Sequence, residues 1–416
     1  MSAWLERLLP FGLIALVSAW LVSTIGDTAD WSHDTWPAVH ALAQGRVSDY
    51  LSAEALMGPV ATLVQAPFVW LAGGEGELVA YRYAAFPCVL AAGLLGLYLA
   101  ALARRRGSQR PARFLIAALC LVNPLTIEAL RNGHPEEILT AVLAVAAVAT
   151  ASEGHRGRAA VLLGLAVACK QWAVIAILPT LMALPSGRLR AGMLAAGVAF
   201  VLTLPSVVAD PGAFFGVHST AAGTGRTVTP WSVWYPLAET VTEVHEVGGE
   251  RLVAHVREAP SLVGSLAHPL IVLLALLVPL GLALWRRSWR LSGTEAMALL
   301  SLLALLRCAL DPVDNLYYHE PLLLSLLAWD ALAGERRLPW RGAMGAALAL
   351  LFWQWSQGLE DVAAFNAAYL VVAAAAVLGI SIGLQKTWKR EKPEFSRDEA
   401  QISGIKDRAL RSMRPL

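Results

Sequence analysis

The sequence predicts an all-α polytopic membrane protein, a single bundle of about twelve transmembrane helices with both termini in the cytoplasm. Three observations predict it. Of 416 residues, 57% are hydrophobic and the mean hydropathy is +0.56. Only 15% are charged, too few to cover a water-soluble chain of this size. Apolar runs also recur along the whole length at about the 20 residues that a spanning helix needs.

Ten runs are clear candidates for spans: 8–25, 78–102, 114–130, 138–151, 191–208, 267–285, 296–310, 316–329, 343–355 and 362–384. The first follows Arg7 and precedes an acidic stretch with no small-residue cleavage site. It reads as an uncleaved anchor rather than a signal peptide. Two further stretches are placed by the distribution of positive charge. GPVATLVQAPFVWLAGG, 58–74, is short and broken by Pro59 and Pro67. Read as an interfacial or half-inserted helix, it leaves the basic cluster RRRGSQRPAR, 104–113, on the cytoplasmic side. AAVLLGLAVACKQWAVIAILPTLMALP, 159–185, reads as two short helices meeting near Lys170, which keeps Arg188 and Arg190 inside. Its first half has about 11 residues, roughly 16 Å, so Lys170 sits at a recessed turn and requires a partner or a water-filled cavity.

With this topology 25 of the 33 Lys and Arg are cytoplasmic. Gly107 and Arg188 then face inward, while Ala53, Gly223 and Arg226 face outward. The outer face carries two long segments, 26–77 with interfacial helices and 210–265, and two short ones, RNGHPEE at 131–137 and DPVDNLYYHEP at 311–321. Residues 1–385 form one domain whose outer loops make the active-site face, and 386–416 form a charged, mobile tail. The net charge of +2 is dispersed in short clusters, so no nucleic-acid partner is expected. Cys88, Cys120, Cys169 and Cys308 have no CxxC spacing and read as buried, unpaired thiols.

Chemistry is expected outside. In DWSHDTWPAVHALAQGRVSDY, 30–50, Asp34 precedes Trp36-Pro37 and a run ending at Gly45, the pattern of an N-cap before an interfacial helix. Capping would explain Asp34; a carboxylate at the membrane surface can also act as a general base. Asp27 and Asp30 are alternatives, and Asp49 reads as a turn acid. In RNGHPEE, Asn132-Gly133 make the turn, Pro135 starts a helix, and Glu136 and Glu137 complement its dipole. Arg131 and His134 beside that helix start suit an anion, and Lys170 adds a third cation on the same side. His319, Tyr317 and Tyr318 supply further donors and rings. Arg307 needs a counter-charge, for which Asp311 is the candidate. Cations from three outer turns beside a bilayer suggest a pocket for the phosphate of a lipid.

Trp231, Trp234 and Tyr235 in TPWSVWYP suit either carbohydrate stacking or an interfacial aromatic belt. Candidates for sugar or acceptor contacts are His33, Trp36, Glu136, Trp231 and Tyr318. Asp27, Asp30 and Asp34 could gather a hard cation, but no spacing is diagnostic, and neither metal nor cofactor is expected. Nucleophile motifs, phosphate loops and dinucleotide fingerprints are absent from the sequence.

Over residues 8–384 the chain resembles the GT-C class of membrane glycosyltransferases, most closely glycosyltransferase family 87. The resemblance is carried by HDTWPAVHALAQGRVSDY, GPVATLVQAPFVWLAG, GHPEEIL and GLAVACKQWAVIAILP, in that order. It implies a mannosyltransferase-like enzyme in a bacterial inner membrane, active on the extracytoplasmic face. Its donor would be a polyprenyl-phosphate sugar, commonly mannose, and its acceptor a membrane glycolipid or glycan. It implies an inverting transfer with Asp34 as base and donor-phosphate contacts from His134, Lys170 and His319. One departure is Met57-Gly58-Pro59, where the family has Tyr-Pro-Pro. The alternative is a twelve-helix secondary transporter or lipid flippase. Against it, the two halves look unlike and the polar groups cluster at one surface.

Overall fold

In lipid every backbone N–H and C=O must be paired within its own segment, so long apolar runs become helices. The computed structural model describes residues 3–53, 56–212, 214–216, 227–247, 250–334 and 337–412. The expected outward placement of Gly223 and Arg226 lies outside the described residues. Among the described residues, seven helical segments are long and apolar enough to cross a membrane: Glu77–Arg105, Arg110–Arg131, Pro135–Ser152, Arg188–Ala209, Ser261–Arg286, Gly293–Leu310 and Val362–Thr387. Leu8–Ser23, Pro59–Leu71 and Gln171–Ala183 are apolar but shorter. The ten runs expected to span are all helical over most of their length.

The chain opens with α1 (Ala3–Ser23) and crosses a loop carrying α2 (Trp31–Asp34), α3 (Trp36–Ala43), α4 (Val47–Leu51) and α5 (Pro59–Leu71). It continues through α6 (Glu77–Arg105), α7 (Arg110–Leu121), α8 (Pro124–Arg131), α9 (Pro135–Ser152), α10 (Arg156–Cys169), a 3-10 turn (Gln171–Ala176), α11 (Ile177–Ala183) and α12 (Arg188–Ala209). Beyond strands β1 (Glu239–Val247) and β2 (Glu250–Glu258) come α13 (Ser261–Arg286), α14 (Gly293–Leu310), a 3-10 turn (Leu316–His319), α15 (Glu320–Ala333), α16 (Trp340–Ser356) and α17 (Val362–Ser412). The centre is made by α9 and α14, buried on nearly all sides, with α6, α10 and α15 against α9. By contrast α12 and α13 expose Leu189, Phe200, Val201, Leu276 and Leu284, which is stable only against lipid. Small residues set the close crossings: a Cβ at Gly164 would strike the Ala195 carbonyl and Val198, joining α10 to α12.

The Lys170 region is a hairpin of two short helices, as the charge distribution requires. α10 ends at Cys169, and Lys170 is extended at φ −152°. At the opposite end of the bundle, Arg156 lies against Gly187 and the Leu291 amide donates to the Met182 carbonyl at 2.9 Å. The chain therefore leaves that end at Arg156, turns at Lys170 and returns by Met182. The same end is pinned by Arg286–Glu295 and Arg341–Asp330, each at 2.6 Å, with Ser292 and Glu295 closing a capping box. The Lys170 turn holds α5 as well. The Gly58 amide donates to the Cys169 carbonyl at 3.0 Å, and a Cβ at position 58 would collide with the Ala168 carbonyl. Proline has neither the N–H nor the room, which accounts for Met57-Gly58-Pro59.

Several expectations are corrected. Asp34 does not cap α3: Thr35 is the N-cap residue, without a side-chain cap bond, and Asp34 closes α2. The end of α3 is as expected, with Gly45 at φ +73° and the Arg46 amide on the Ala41 carbonyl at 2.9 Å. The run 114–130 is split, because Asn123 accepts from the Leu125 and Thr126 amides and starts α8. The fold is not wholly α: β1 and β2 form an antiparallel hairpin, in register from Glu239–Glu258 to Val247–Glu250. Residues 386–412 continue α17 as helix, and 413–416 lie outside the described residues.

Gly58→Ala is expected to destabilise the protein by about 1–3 kcal/mol, because the obstacle is backbone. Gly197→Ala, with nothing within 4 Å of the added Cβ, is expected to melt at or slightly above wild type. Thermal melting of both variants in one detergent measures the contrast.

Candidate active site

The site is built where four chain turns meet at the end of the bundle that carries Lys170. The first is the loop after α1. Trp31 is fully buried there, with Nε1 donating to Gln65 Oε1 at 2.9 Å and its ring 5.0 Å from Tyr81. The Tyr81 hydroxyl donates to the Leu130 carbonyl at 2.6 Å, joining this loop to α8. The second turn is Asn132-Gly133. Gly133 has φ +84°, and a Cβ there would strike the backbone of Thr28, Asp30 and Trp31. The contact sets His134 beside Asp30.

From His134 a chain of alternating charges runs inward. Nε2 lies 3.2 Å from Asp30 Oδ2, and Nδ1 lies 3.0 Å from Glu136 Oε1. Lys170 Nζ lies 3.1 Å from Glu136 Oε1 and 2.7 Å from Glu137 Oε1. Trp172 Nε1 donates to Glu137 Oε2 at 2.7 Å, and Arg307 Nη2 stands 3.8 Å from Glu137 Oε1. The nearest carboxylate of Arg307 is thus Glu137 rather than Asp311; Asp311 instead lies 3.5 Å from His268. Both glutamates are completely buried in the first turn of α9, where the helix dipole also favours them. The Arg307 guanidinium lies between the rings of Trp172 at 4.8 Å and Tyr318 at 4.5 Å.

Asp34 stands apart. Its carboxylate is half-buried, faces the field of His134, Asp30, Glu136 and Lys170, and makes no hydrogen bond to any described residue. Burial pushes its carboxyl up, against the pull of His134 and Lys170. Asp30 moves the other way, held below the usual carboxylate range by its hydrogen bond from His134. Asp27 accepts from the Thr28 amide at 2.6 Å in a local turn, and Asp49 pairs with Arg46 at 2.8 Å. Three acids of this loop are therefore occupied and one is not.

The structure divides the remaining residues singled out in the sequence. Asp34, His134, Glu136 and Lys170 come together, with Tyr318 reaching them through Arg307. His33 is exposed on α2 near Asp30, and the Trp36 ring packs on His40 at 4.3 Å. Arg131 is exposed, 5.9 Å from the Trp353 ring and away from the charge chain. Trp231 offers no free face for a sugar: it is buried, with Phe365 at 4.7 Å, Tyr369 at 5.5 Å and Phe352 at 5.8 Å. His319 belongs to that second cluster, with Nε2 3.0 Å from the Tyr369 hydroxyl. Residue 317 links the clusters, its ring stacked 5.1 Å from His134. Glu137, Trp172 and Gln65 are the participants that sequence reasoning did not assign to the site. The bare sequence carries no spacing that pairs 137 with 172.

Among the seven charged groups here, three cations face four carboxylates. The site is compensated rather than electropositive. Both ring nitrogens of His134 are engaged, whereas Lys170 has three N–H donors and spends two on glutamates.

Burial alone would lower the His134 pKa, but its hydrogen bonds with Asp30 and Glu136 overcome this and raise it from 6.5 to about 9. A folded-state pKa above the unfolded one stabilises the fold fully below pH 6.5 or so, and that contribution is lost as pH rises through about 9. Melting temperature is therefore expected to fall between pH 7 and pH 9.5 or so in wild type, and to fall less in His134→Gln.

No curated protein matches the sequence. The structure is similar to the crystal structure of ArnT from Cupriavidus metallidurans in the apo state, at 17% identity and a TM-score of 0.47. That similarity covers 92% of this chain and 73% of the other. The model of glycosyltransferase family 87 matches residues 56–312, which include Gly58, His134, Glu136, Glu137, Lys170 and Arg307. Asp30, Asp34 and His319 lie outside the matched residues. With well over half of its length matched, including the charge chain from His134 to Arg307, the chain belongs to glycosyltransferase family 87.

Proposed function

We propose that this membrane glycosyltransferase moves a sugar, mannose first among the candidates, from a polyprenyl-phosphate donor to a glycolipid or glycan acceptor on the extracytoplasmic face. The observation that carries the reading is Asp34, a half-buried carboxylate without a hydrogen-bond partner, set in a cluster of otherwise paired charges. An acid that is poorly solvated and uncommitted is a better proton acceptor than one already bonded to histidine.

In this scheme the acceptor hydroxyl gives its proton to Asp34 as its oxygen attacks the anomeric carbon. The bond from that carbon to the phosphate oxygen breaks, and the electron pair leaves with the phosphate. A single displacement inverts the anomeric centre. Lys170 offers its third N–H to the phosphate as charge develops, while Glu136 and Glu137 hold the ammonium in place. His134, with both nitrogens engaged, contributes its charge and fixes Asp30. No nucleotide and no metal is needed for these steps. Family membership supports transfer over the transporter or flippase reading.

Asp34→Asn is expected to reduce turnover by roughly 10²–10⁴-fold, with donor binding retained. Radiolabelled polyprenyl-phosphate mannose, offered to purified protein with mixed envelope lipids and glycans, measures it. Near wild-type transfer by Asp34→Asn alongside a dead Asp30→Asn would move the base to Asp30. Lys170→Gln, compared at matched thermal stability, is expected to weaken donor binding by more than about tenfold, the equivalent of one charge-assisted hydrogen bond.

The proposed sidedness has its own test. Single cysteines at Ala53 and Arg188, in a chain without the native four, are expected to react and to stay silent, respectively, with an impermeant thiol reagent on intact cells. Labelling at 188 would overturn the cytoplasmic placement of the turn that follows the paired short helices around Lys170.

A further inference from the structure

Apart from the charge chain, the described residues bring one set of soft and hard ligand atoms together. Cys308 lies in the last turn of α14, Asp314 in the following loop, and His319 at the end of the 3-10 turn before α15. Their ligand atoms all lie within 4.8 Å of one another. Asp314 Oδ2 is 3.7 Å from His319 Nε2. Cys308 and Asp314 are fully buried, and the His319 side chain is 11% exposed. Neither carboxylate oxygen of Asp314 has a hydrogen-bond partner. A buried carboxylate left in that state is costly unless it takes up a proton or a cation meets it.

We infer that Cys308, Asp314 and His319 form a binding site for a zinc-class divalent metal ion that ties the α14–α15 loop. The donor set chooses the class: one thiolate, one imidazole and one carboxylate suit zinc, whereas calcium and magnesium take oxygen alone. Charge closes as well, since a thiolate and a carboxylate neutralise a divalent ion inside the protein. The imidazole is oriented for the task. His319 Nδ1 lies 3.1 Å from the Leu316 carbonyl, which fixes the proton on Nδ1 and leaves the Nε2 lone pair toward Asp314. The Tyr369 hydroxyl, 3.0 Å from Nε2, would turn aside on metal binding. Thr229 Oγ1 donates to the Asp314 carbonyl at 2.6 Å and holds the loop backbone. The Cys308 thiol donates to the Tyr318 carbonyl at 3.2 Å, a bond that would be given up as the thiolate forms on metal binding. Burial and position make the ion a brace for Tyr317 and Tyr318. It takes no part in the transfer, and His319 is removed from the donor-phosphate contacts.

The full chain, purified in detergent by a tag without histidines, is titrated with cobalt(II) chloride, and its zinc content is measured by mass spectrometry. Stoichiometric zinc and a near-ultraviolet thiolate-to-cobalt charge-transfer band are expected in wild type and in Cys120→Ser. Both are expected to be lost in Cys308→Ser, and zinc is expected to be lost in the isosteric Asp314→Asn. Wild type without zinc and without the cobalt band, or a band that survives Cys308→Ser, overturns the site. Because the titration is read on folded wild-type protein, misfolding of a variant does not decide the result. Sugar transfer is not part of the readout, so failure here leaves the proposed function standing.

Discussion

A lysine ammonium held away from water organises this end of the molecule. At 17% side-chain exposure Lys170 requires anionic partners, and both come from the first turn of α9. Supplying them demands that α10 stop at Cys169 and that the next segment turn back, so one continuous span is excluded. It also demands that the α8–α9 turn lie at the same depth. Gly133 and His134 then draw in the loop after α1, Gly58 draws in α5, and Arg307 draws in α14. Removing one partner of such a buried pair typically costs about 3–5 kcal/mol, which makes Glu136 and Glu137 structural necessities as well as site residues.

The network is nearly saturated, and that sharpens the meaning of what is left over. Asp30, Glu136 and Glu137 are spent on histidine, lysine, arginine and a tryptophan N–H. Asp34 is spent on nothing, and the cap it was expected to provide is absent because Thr35 occupies that position. The bland explanation for this acid therefore fails on geometry. On the cationic side the same reasoning narrows three expected phosphate contacts toward one, since only Lys170 combines partial exposure with a spare donor.

Legibility followed the length scale of the physics. Helix identity and the Lys170 hairpin were readable because apolar run length and loop charge are one-dimensional properties. Family 87 was readable from short motifs in a fixed order. The β1–β2 hairpin was missed although ETVTEVHEV and ERLVAHVRE are rich in β-branched residues around Gly248-Gly249, a pattern overlooked in a chain read as all helix. Side-chain partnerships were the least readable. Arg307 with Glu137, and Trp231 with Phe365, join residues far apart in sequence whose meeting depends on how the helices cross. The contrast between Asp34 and Asp30 turned on a glycine, Gly133, whose close approach to the loop backbone leaves no trace in local pattern.

The one-carboxylate surplus has a consequence for how the cluster takes up a proton. Three cations face four carboxylates, and the acid without a hydrogen-bond partner among the described residues is Asp34. A single proton taken up there leaves three positive and three negative charges. The ion pairs around Lys170 need not rearrange when that happens, because the charge that comes and goes sits on the one carboxylate outside them. Deep in the bundle each unit of charge interacts more strongly than it would in water. The half-buried rim thus carries the variable charge, and the buried interior keeps a constant one.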